Sequence, residues 1–240
     1  MHHWIEPGPA DLTLGGTNLE SEIKLRLAAN TELSAIIEHP LMTRLAMPDS
    51  RREHDLVNLY YDTPRHDLTE REMTLRLRQV ADRSEVTLKT GEATVSELHQ
   101  RFEWTAVFPE DWDGDLKNGL DTSWFKREAT SMGDPDAQLQ EALRLIKARP
   151  LILLCEARFQ RITYDIGYGD SLLELAIDHG ELIAGDLSEP LYEIEVELKE
   201  GDVRDLVELG HEMQEQLPVQ PEELSKFARC LRLLAKQKPL

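Results

Sequence analysis

Only two cysteines, Cys155 and Cys230, occur among the 240 residues. They form neither a disulfide framework nor a zinc-type spacing, so each reads as a small buried hydrophobe. Long apolar runs are also missing. The longest, residues 151–155, falls far short of the ~20 residues a membrane helix needs. Positive charge is scarce: 27 Lys and Arg stand against 46 Asp and Glu, a formal net charge of -19. A surface that acidic repels nucleic acid and anionic membranes, so neither is an expected partner. No basic-then-apolar leader opens the chain, which points by default to a reducing cytoplasm. Residues 1–17, with Pro7, Pro9, Gly15 and Gly16, read as a flexible extension.

The remainder has the makings of a folded domain. Hydrophobic residues make up 40% of the chain, mixed with charges of both signs, and this length can bury a core. Alternation predicts strands over residues 18–27, 57–62, 74–80, 85–90, 99–108, 151–166, 171–179 and 192–199. Helices are expected from Asn30 or Thr31 to about Glu38, with a further turn beyond Pro40. Others are expected after Asp134-Pro135, after Asp202, and from Pro221. Residues 109–119 are acidic and turn-rich, hence a loop. No interior linker stands out, so one α+β domain dominated by antiparallel strands is expected over residues 18–240.

The strands carry an unusually ordered charged face. Successive side chains of a strand point to opposite sides. Glu20, Glu22, Lys24 and Arg26 therefore share one face, opposite Ile23, Leu25 and Leu27. Arg76 and Arg78 oppose Leu75 and Leu77; Lys89 and Thr87 oppose Val86 and Leu88. Arg101 with Glu103, Arg161 with Thr163, and Glu174 with Asp178 repeat the arrangement. Glu193, Glu195, Glu197 and Lys199 complete it. Either an open sheet shows this face to water, or the sheet closes into a barrel with a charged lumen and amphipathic helices outside. The preference for Arg and Glu, and the need of the helices for an apolar surface to cover, favour closure.

A charged lumen would have a legible chemistry. Carboxylates alternating along a strand lie ~7 Å apart and suit Mg²⁺ or Mn²⁺, which leave positions for water and phosphate oxygens. Arginines offer forked donors matched to phosphate, and Lys24 and Lys89 act as point charges. With no nucleophilic Ser, Cys or His arrangement, this combination points to phosphoryl chemistry on a linear polyphosphate.

Glu20-Ser21-Glu22-Ile23-Lys24 resembles the Glu-x-Glu-x-Lys signature of the CYTH superfamily, the triphosphate tunnel metalloenzymes. Further matching stretches are Tyr60-Tyr61-Asp62-Thr63-Pro64, Leu75-Arg76-Leu77-Arg78, Thr87-Leu88-Lys89 and Leu98-His99-Gln100-Arg101-Phe102-Glu103. Ala176-Ile177-Asp178-His179-Gly180-Glu181, Glu193-Ile194-Glu195-Val196-Glu197 and Leu224-Ser225-Lys226 follow in register. The chain looks most like the bacterial inorganic triphosphatases. The resemblance implies an eight-stranded antiparallel β-barrel that hydrolyses triphosphate with Mg²⁺ or Mn²⁺. It implies Glu20, Glu22, Glu195 and Glu197 as metal carboxylates, with Lys24 beside them in catalysis. Lys24, Arg26, Arg76, Arg78, Lys89, Arg101, Arg161 and Lys226 would bind the triphosphate. Glu103, Asp178 and Glu193 would orient these groups, and no CHAD domain is expected after the barrel.

Rival readings are a class IV adenylate cyclase or thiamine triphosphatase on the same fold, with Trp104 or Trp124 stacking on the organic group. A non-catalytic polyphosphate-binding module is another. The implied lumen resolves the charge paradox. Eight cations (Lys24, Arg26, Arg76, Arg78, Lys89, Arg101, Arg161, Lys199) against seven acids (Glu20, Glu22, Glu103, Asp178, Glu193, Glu195, Glu197) leave it at +1. The rest of the chain then holds 19 cations against 39 acids, or -20.

Overall fold

A computed structural model describes residues 19–28, 31–81, 83–95, 98–110, 112, 114–129, 137–147 and 149–237. Eight strands build the framework: β1 (Leu19–Leu27), β2 (Arg52–Asp62), β3 (Thr74–Val80), β4 (Arg83–Val95), β5 (Leu98–Val107), β6 (Ile152–Tyr168), β7 (Ser171–Ala184) and β8 (Leu187–Glu200). They pair antiparallel in the order β5-β4-β3-β2-β6-β7-β8-β1, and β1 returns to β5. That last pairing, Leu19 opposite Phe102 through Ile23 opposite Leu98, closes the barrel. A three-residue strand, β9 (Val219–Pro221), pairs with the other half of β1.

Closure turns the two faces of the strands into an inside and an outside. The outward residues Ile23, Leu25, Leu175, Ile177, Ile194 and Val196 lie in one core beneath α1 (Leu33–Ile37), α2 (Pro40–Leu45) and α5 (Val203–Gln216). Leu75, Leu77, Val86, Leu88 and Trp104 lie in a second, beneath α3 (Thr122–Glu128) and α4 (Ala137–Ile146). Each such side chain contributes roughly 1.5–3 kcal/mol on leaving water. A third cluster joins Phe227, Cys230 and Leu233 of α6 (Lys226–Leu234) to Ala157, Phe159, Leu182 and Leu191. Those strand residues share the inward parity of Arg161, Asp178 and Glu195, so α6 closes one end of the barrel.

Several elements differ from the sequence expectations for identifiable reasons. β2 begins at Arg52, five residues early, because its first four residues are exposed on both faces and carry no alternation. Asn30 lies outside the described residues, and α1 starts after Glu32, whose side chain makes no cap. The His39 ring instead caps α2, accepting from the Leu41 amide at 3.2 Å. Asp134-Pro135 lies outside the described residues, while α4 buries Leu139, Ala142, Leu143 and Ile146 as expected. Asp202 caps α5 as expected. The helix α3 was not anticipated; Asp121 caps it and it buries Phe125. Pro221 does not open the last helix: it pairs with Leu25 in β9. Ser225 does, its hydroxyl accepting from the Ala228 amide at 3.2 Å, as a cap residue satisfies an orphan donor that Pro cannot. The loop after β5 is pinned by Trp112 and Trp124 stacked on either contact of Phe108, at 3.8 and 4.4 Å.

Candidate active site

The open part of the barrel interior is a cavity of about 450 Å³. Register explains much of its electrostatics: five inward pairs set opposite charges directly across neighbouring strands, while Glu22 and Glu174 each face Glu197 and Asp178 faces Glu193. Glu20 faces Arg101 and Lys24 faces Glu195; Arg78 faces Glu85, Lys89 faces Glu103 and Arg161 faces Asp178. Opposite-charge cross-strand pairs of this kind interact favourably.

Eight cations line the cavity: Lys24, Arg76, Arg78, Lys89, Arg101, Arg161, Lys199 and Lys226. Seven carboxylates oppose them: Glu20, Glu22, Glu85, Glu103, Glu174, Glu195 and Glu197. The formal charge is again +1, with a different membership from that expected. Arg26 is outside: β1 carries it past α6 into a separate hollow with Glu222, and its side chain is 55% exposed. Asp178 and Glu193 are fully buried in the wall. Glu85 and Glu174, which the motifs did not single out, take part instead. Their inward parity was the available signal.

Two ion clusters share Glu195. In the first, Arg161 donates Nε and Nη2 to the two oxygens of Asp178 at 2.7 Å each, and Nη2 also reaches Glu195 at 2.5 Å. Lys226 reaches across from α6 to Asp178 at 2.7 Å, to Glu195 at 2.9 Å and to Glu193. Arg229 adds a bond to Glu193 at 3.1 Å. In the second cluster, Lys24 pairs with Glu22 and lies 3.1 Å from Glu195, while Arg101 donates to Glu22 at 2.9 Å. Lys89 bridges Glu20 at 2.7 Å and Glu103 at 2.5 Å.

Burial and these neighbours set the protonation states. Burial opposes the ionised form of Glu22, yet Lys24 and Arg101 hold it down to about 2. Glu195 is likewise held well below the usual carboxylate range by Lys226, Lys24 and Arg161 against its burial. Glu20 goes the other way: burial, with Glu22 and Glu103 nearby, pushes it up to about 7 despite Lys89. Burial also raises Glu193 and Glu197. Arg78 is pushed down to about 10 by burial and by the adjacent Arg76 and Arg161. Lys226 is raised by Asp178, Glu193 and Glu195, which outweigh its burial.

The donor chemistry fits a divalent cation. Oxygens of Asp178, Glu193 and Glu195 lie within 4.8 Å of one another, but the Lys226 ammonium already bonds all three. The closest contacts of Glu20, Glu22 and Glu197 fall on one oxygen each, toward Lys89, Lys24 and Lys199. Their second oxygens are hard donors of the kind that Mg²⁺-like ions take.

Other motif residues prove structural. Fully buried Asp62 accepts from the amides of Thr63, Leu68 and Thr69 at 2.7, 3.0 and 2.9 Å, and from the Thr69 hydroxyl at 2.7 Å. It folds the chain after β2, while Tyr60 of the same motif lines the cavity. His99 donates Nε2 to the Glu222 carbonyl at 3.0 Å. His179 packs on Tyr192. Trp104 is buried in an outer core and Trp124 stacks on Phe108, so neither offers a ring to the cavity. Its aromatic members are Tyr60 and Phe227, stacked at 5.1 Å. No helix among the described residues is long and apolar enough to cross a membrane.

Comparison with known proteins agrees with this geometry. Residues 18–231 match the CYTH domain. The inorganic triphosphatase of Haemophilus influenzae is 30% identical over 221 residues, covering 90% of this chain and 56% of that protein. The chain thus spans about half the length of that curated relative. Among solved structures, a Hippeastrum protein described as a putative adenylyl cyclase with a dominant triphosphatase activity superposes with a TM-score of 0.64. It is 20% identical, with 92% of this chain and 98% of that one covered. The Mimivirus capping-enzyme triphosphatase shares the fold at a TM-score of 0.51 and 11% identity, with 83% and 89% covered.

Proposed function

Because the chain belongs to the CYTH domain family, we propose that it hydrolyses inorganic triphosphate to diphosphate and phosphate inside its barrel, with Mg²⁺ or Mn²⁺. The observation that carries this reading is the enclosed cavity, where eight cations stand among seven carboxylates. Cations alone would suffice to bind a polyanion. Carboxylates in that number suit a site that also takes a metal, and this argues against a purely binding module.

The residues divide by what their neighbours leave free. Arg76, Arg78, Arg101, Arg161, Lys24, Lys89 and Lys226 bind the phosphate oxygens, and the arginines fix the chain of phosphorus atoms by forked contacts. Arg76 is prepared for this, since its buried Nε has no partner among the described residues. Glu20, Glu22, Glu195 and Glu197 would hold the metal; Glu195 also pairs with Lys24 and Lys226. When bound, the ion supplies Lewis-acid charge at phosphate oxygens. Positioning of the triphosphate in line with water can itself contribute several kcal/mol. Glu103 holds Lys89, Asp178 holds Arg161, and Glu193 holds Lys226 and Arg229. Arg26 takes no part in this site.

The free thiols of Cys155 and Cys230 accord with work in the reducing cytoplasm. A triphosphate bearing a nucleoside or thiamine is the weaker reading, as neither tryptophan named for stacking reaches the cavity. Phosphate release from inorganic triphosphate, ATP and thiamine triphosphate, each with and without chelator, tests the assignment. Metal-dependent turnover led by inorganic triphosphate is expected; preference for either organic triphosphate would overturn it.

A further inference from the structure

Asn58 is the inward-facing residue of β2 that the charge pattern leaves unexplained. It is 1% exposed and stands between Arg78 on β3 and Ala157 on β6. Its Oδ1 accepts from Arg78 Nε at 3.0 Å. The amide orientation follows from chemistry, because Nε–H is only a donor and the oxygen must face it. The other end of the amide is left over: buried Nδ2 has no hydrogen-bond partner in the described structure. The register partner of Asn58 on β6, Ala157, belongs to the apolar cluster with Phe159 and Leu182.

A buried donor without a partner costs stability, and an apolar residue here would only move that cost to Arg78 Nε, which would lose its acceptor. Leu is nearly isosteric with Asn, and Leu56 lies in that cluster two residues away on the same face. What the amide accomplishes is to occupy one edge of the Arg78 guanidinium. Glu85 stands 3.5 Å from Nη1 on another edge. Nη2 has no hydrogen bond among the described residues, and Arg78 lines the cavity. An arginine held by Nε cannot swing, so its remaining donors stay aimed at one place and lose less freedom when an anion arrives.

We propose that Asn58 is a positioning residue that aims Arg78 at the phosphate chain. This rests on the reading of the cavity as a triphosphate site.

The test compares Asn58→Leu, Asn58→Asp and wild type. Asn58→Leu exchanges an unpaired Nδ2 for an unpaired Arg78 Nε, so it should melt within a few degrees of wild type. It should bind inorganic triphosphate about tenfold more weakly in chelator, by calorimetry, and raise KM similarly with kcat changed less than about threefold. Asn58→Asp keeps the acceptor but adds a negative charge beside the phosphate site, so it is the control for Nε exchange and not for affinity. In an Arg78→Ala background, Asn58→Leu should add no further loss. In the ligand-free protein, the Arg78 Nε proton, read by NMR, should exchange slowly in wild type and Asn58→Asp and quickly in Asn58→Leu. Wild-type affinity in Asn58→Leu, an added loss in the Arg78→Ala background, or unchanged Nε exchange would each overturn the proposal. Absence of triphosphate binding by wild type would instead refute the substrate, while the exchange measurement still decides whether Asn58 holds Arg78.

Discussion

Along β6, β7 and β8 a single inward face carries two chemistries. At one end Ala157, Phe159, Leu182 and Leu191 pack on α6 in a dry cluster. At the other, Arg161, Glu174, Glu195 and Glu197 line an open cavity. The boundary is the fully buried pair Asp178 and Glu193, tied to Arg161, Lys226 and Arg229. Strand periodicity is the same at both ends. Helix coverage differs, and it decides whether an inward residue serves stability or binding. At the covered end a charge survives only with full neutralisation, because desolvation is severe. At the open end charges can be left partly paired, which is what a guest requires.

This contrast can be broken most forcefully at its boundary. Lys226→Met would leave Asp178, Glu193 and Glu195 short of a cation, and a loss of about 3–5 kcal/mol in chemical denaturation is expected. A change under 1 kcal/mol would show that the ion cluster does not hold α6. Within the covered end, Leu233→Ala should cost about 2–4 kcal/mol through the cavity it leaves, with kcat unchanged below the melting transition. At the open end the signs should reverse. Glu20→Gln is expected to lower metal-dependent turnover by ~100-fold, while thermal unfolding stays within a few degrees of wild type. A large drop in melting temperature with full activity would dissolve the distinction.

Two smaller effects sharpen it. Ser225→Ala removes the cap of α6 and should cost about 1 kcal/mol, read as an earlier urea midpoint. Tyr60, stacked on Phe227 at the junction of the two ends, is pushed up to about 12 by burial. Its folded value lies above the ordinary 10.0, so its stabilising contribution is complete below pH 10 and lost as pH rises toward 12. Tyr60→Phe should flatten that alkaline decline, and identical wild-type and variant curves would count against the assignment.

Much of the site was legible because strand alternation is a local property. Glu20, Glu22 and Lys24 share a face on any straight strand, and Arg76 and Arg78 do so by the same spacing. Arg26 follows the same parity, yet α6 separates it from the cavity, and no local pattern encodes where a distant helix crosses a strand. The motif around Tyr60 split for a similar reason. Tyr60 and Asp62 are two apart in sequence, but the strand ends between the cavity and the turn, so Asp62 collects backbone amides instead of substrate. Asn58 was invisible because a lone amide in a strand has no charge to mark it; only its placement between Arg78 and Ala157 gives it meaning.

The amino-acid sequence by itself determined that eight segments are strands, which face of each is charged, and that the acidity belongs outside. These follow from side-chain alternation and from the free energy of keeping charge out of apolar cores. The register in which β1 meets β5, the place where α6 enters, and the sharing of Glu195 between two ion clusters were decided by tertiary structure alone. They depend on residues tens to hundreds of positions apart meeting in space, and the low-dielectric interior they create is what sets each charge to its final state.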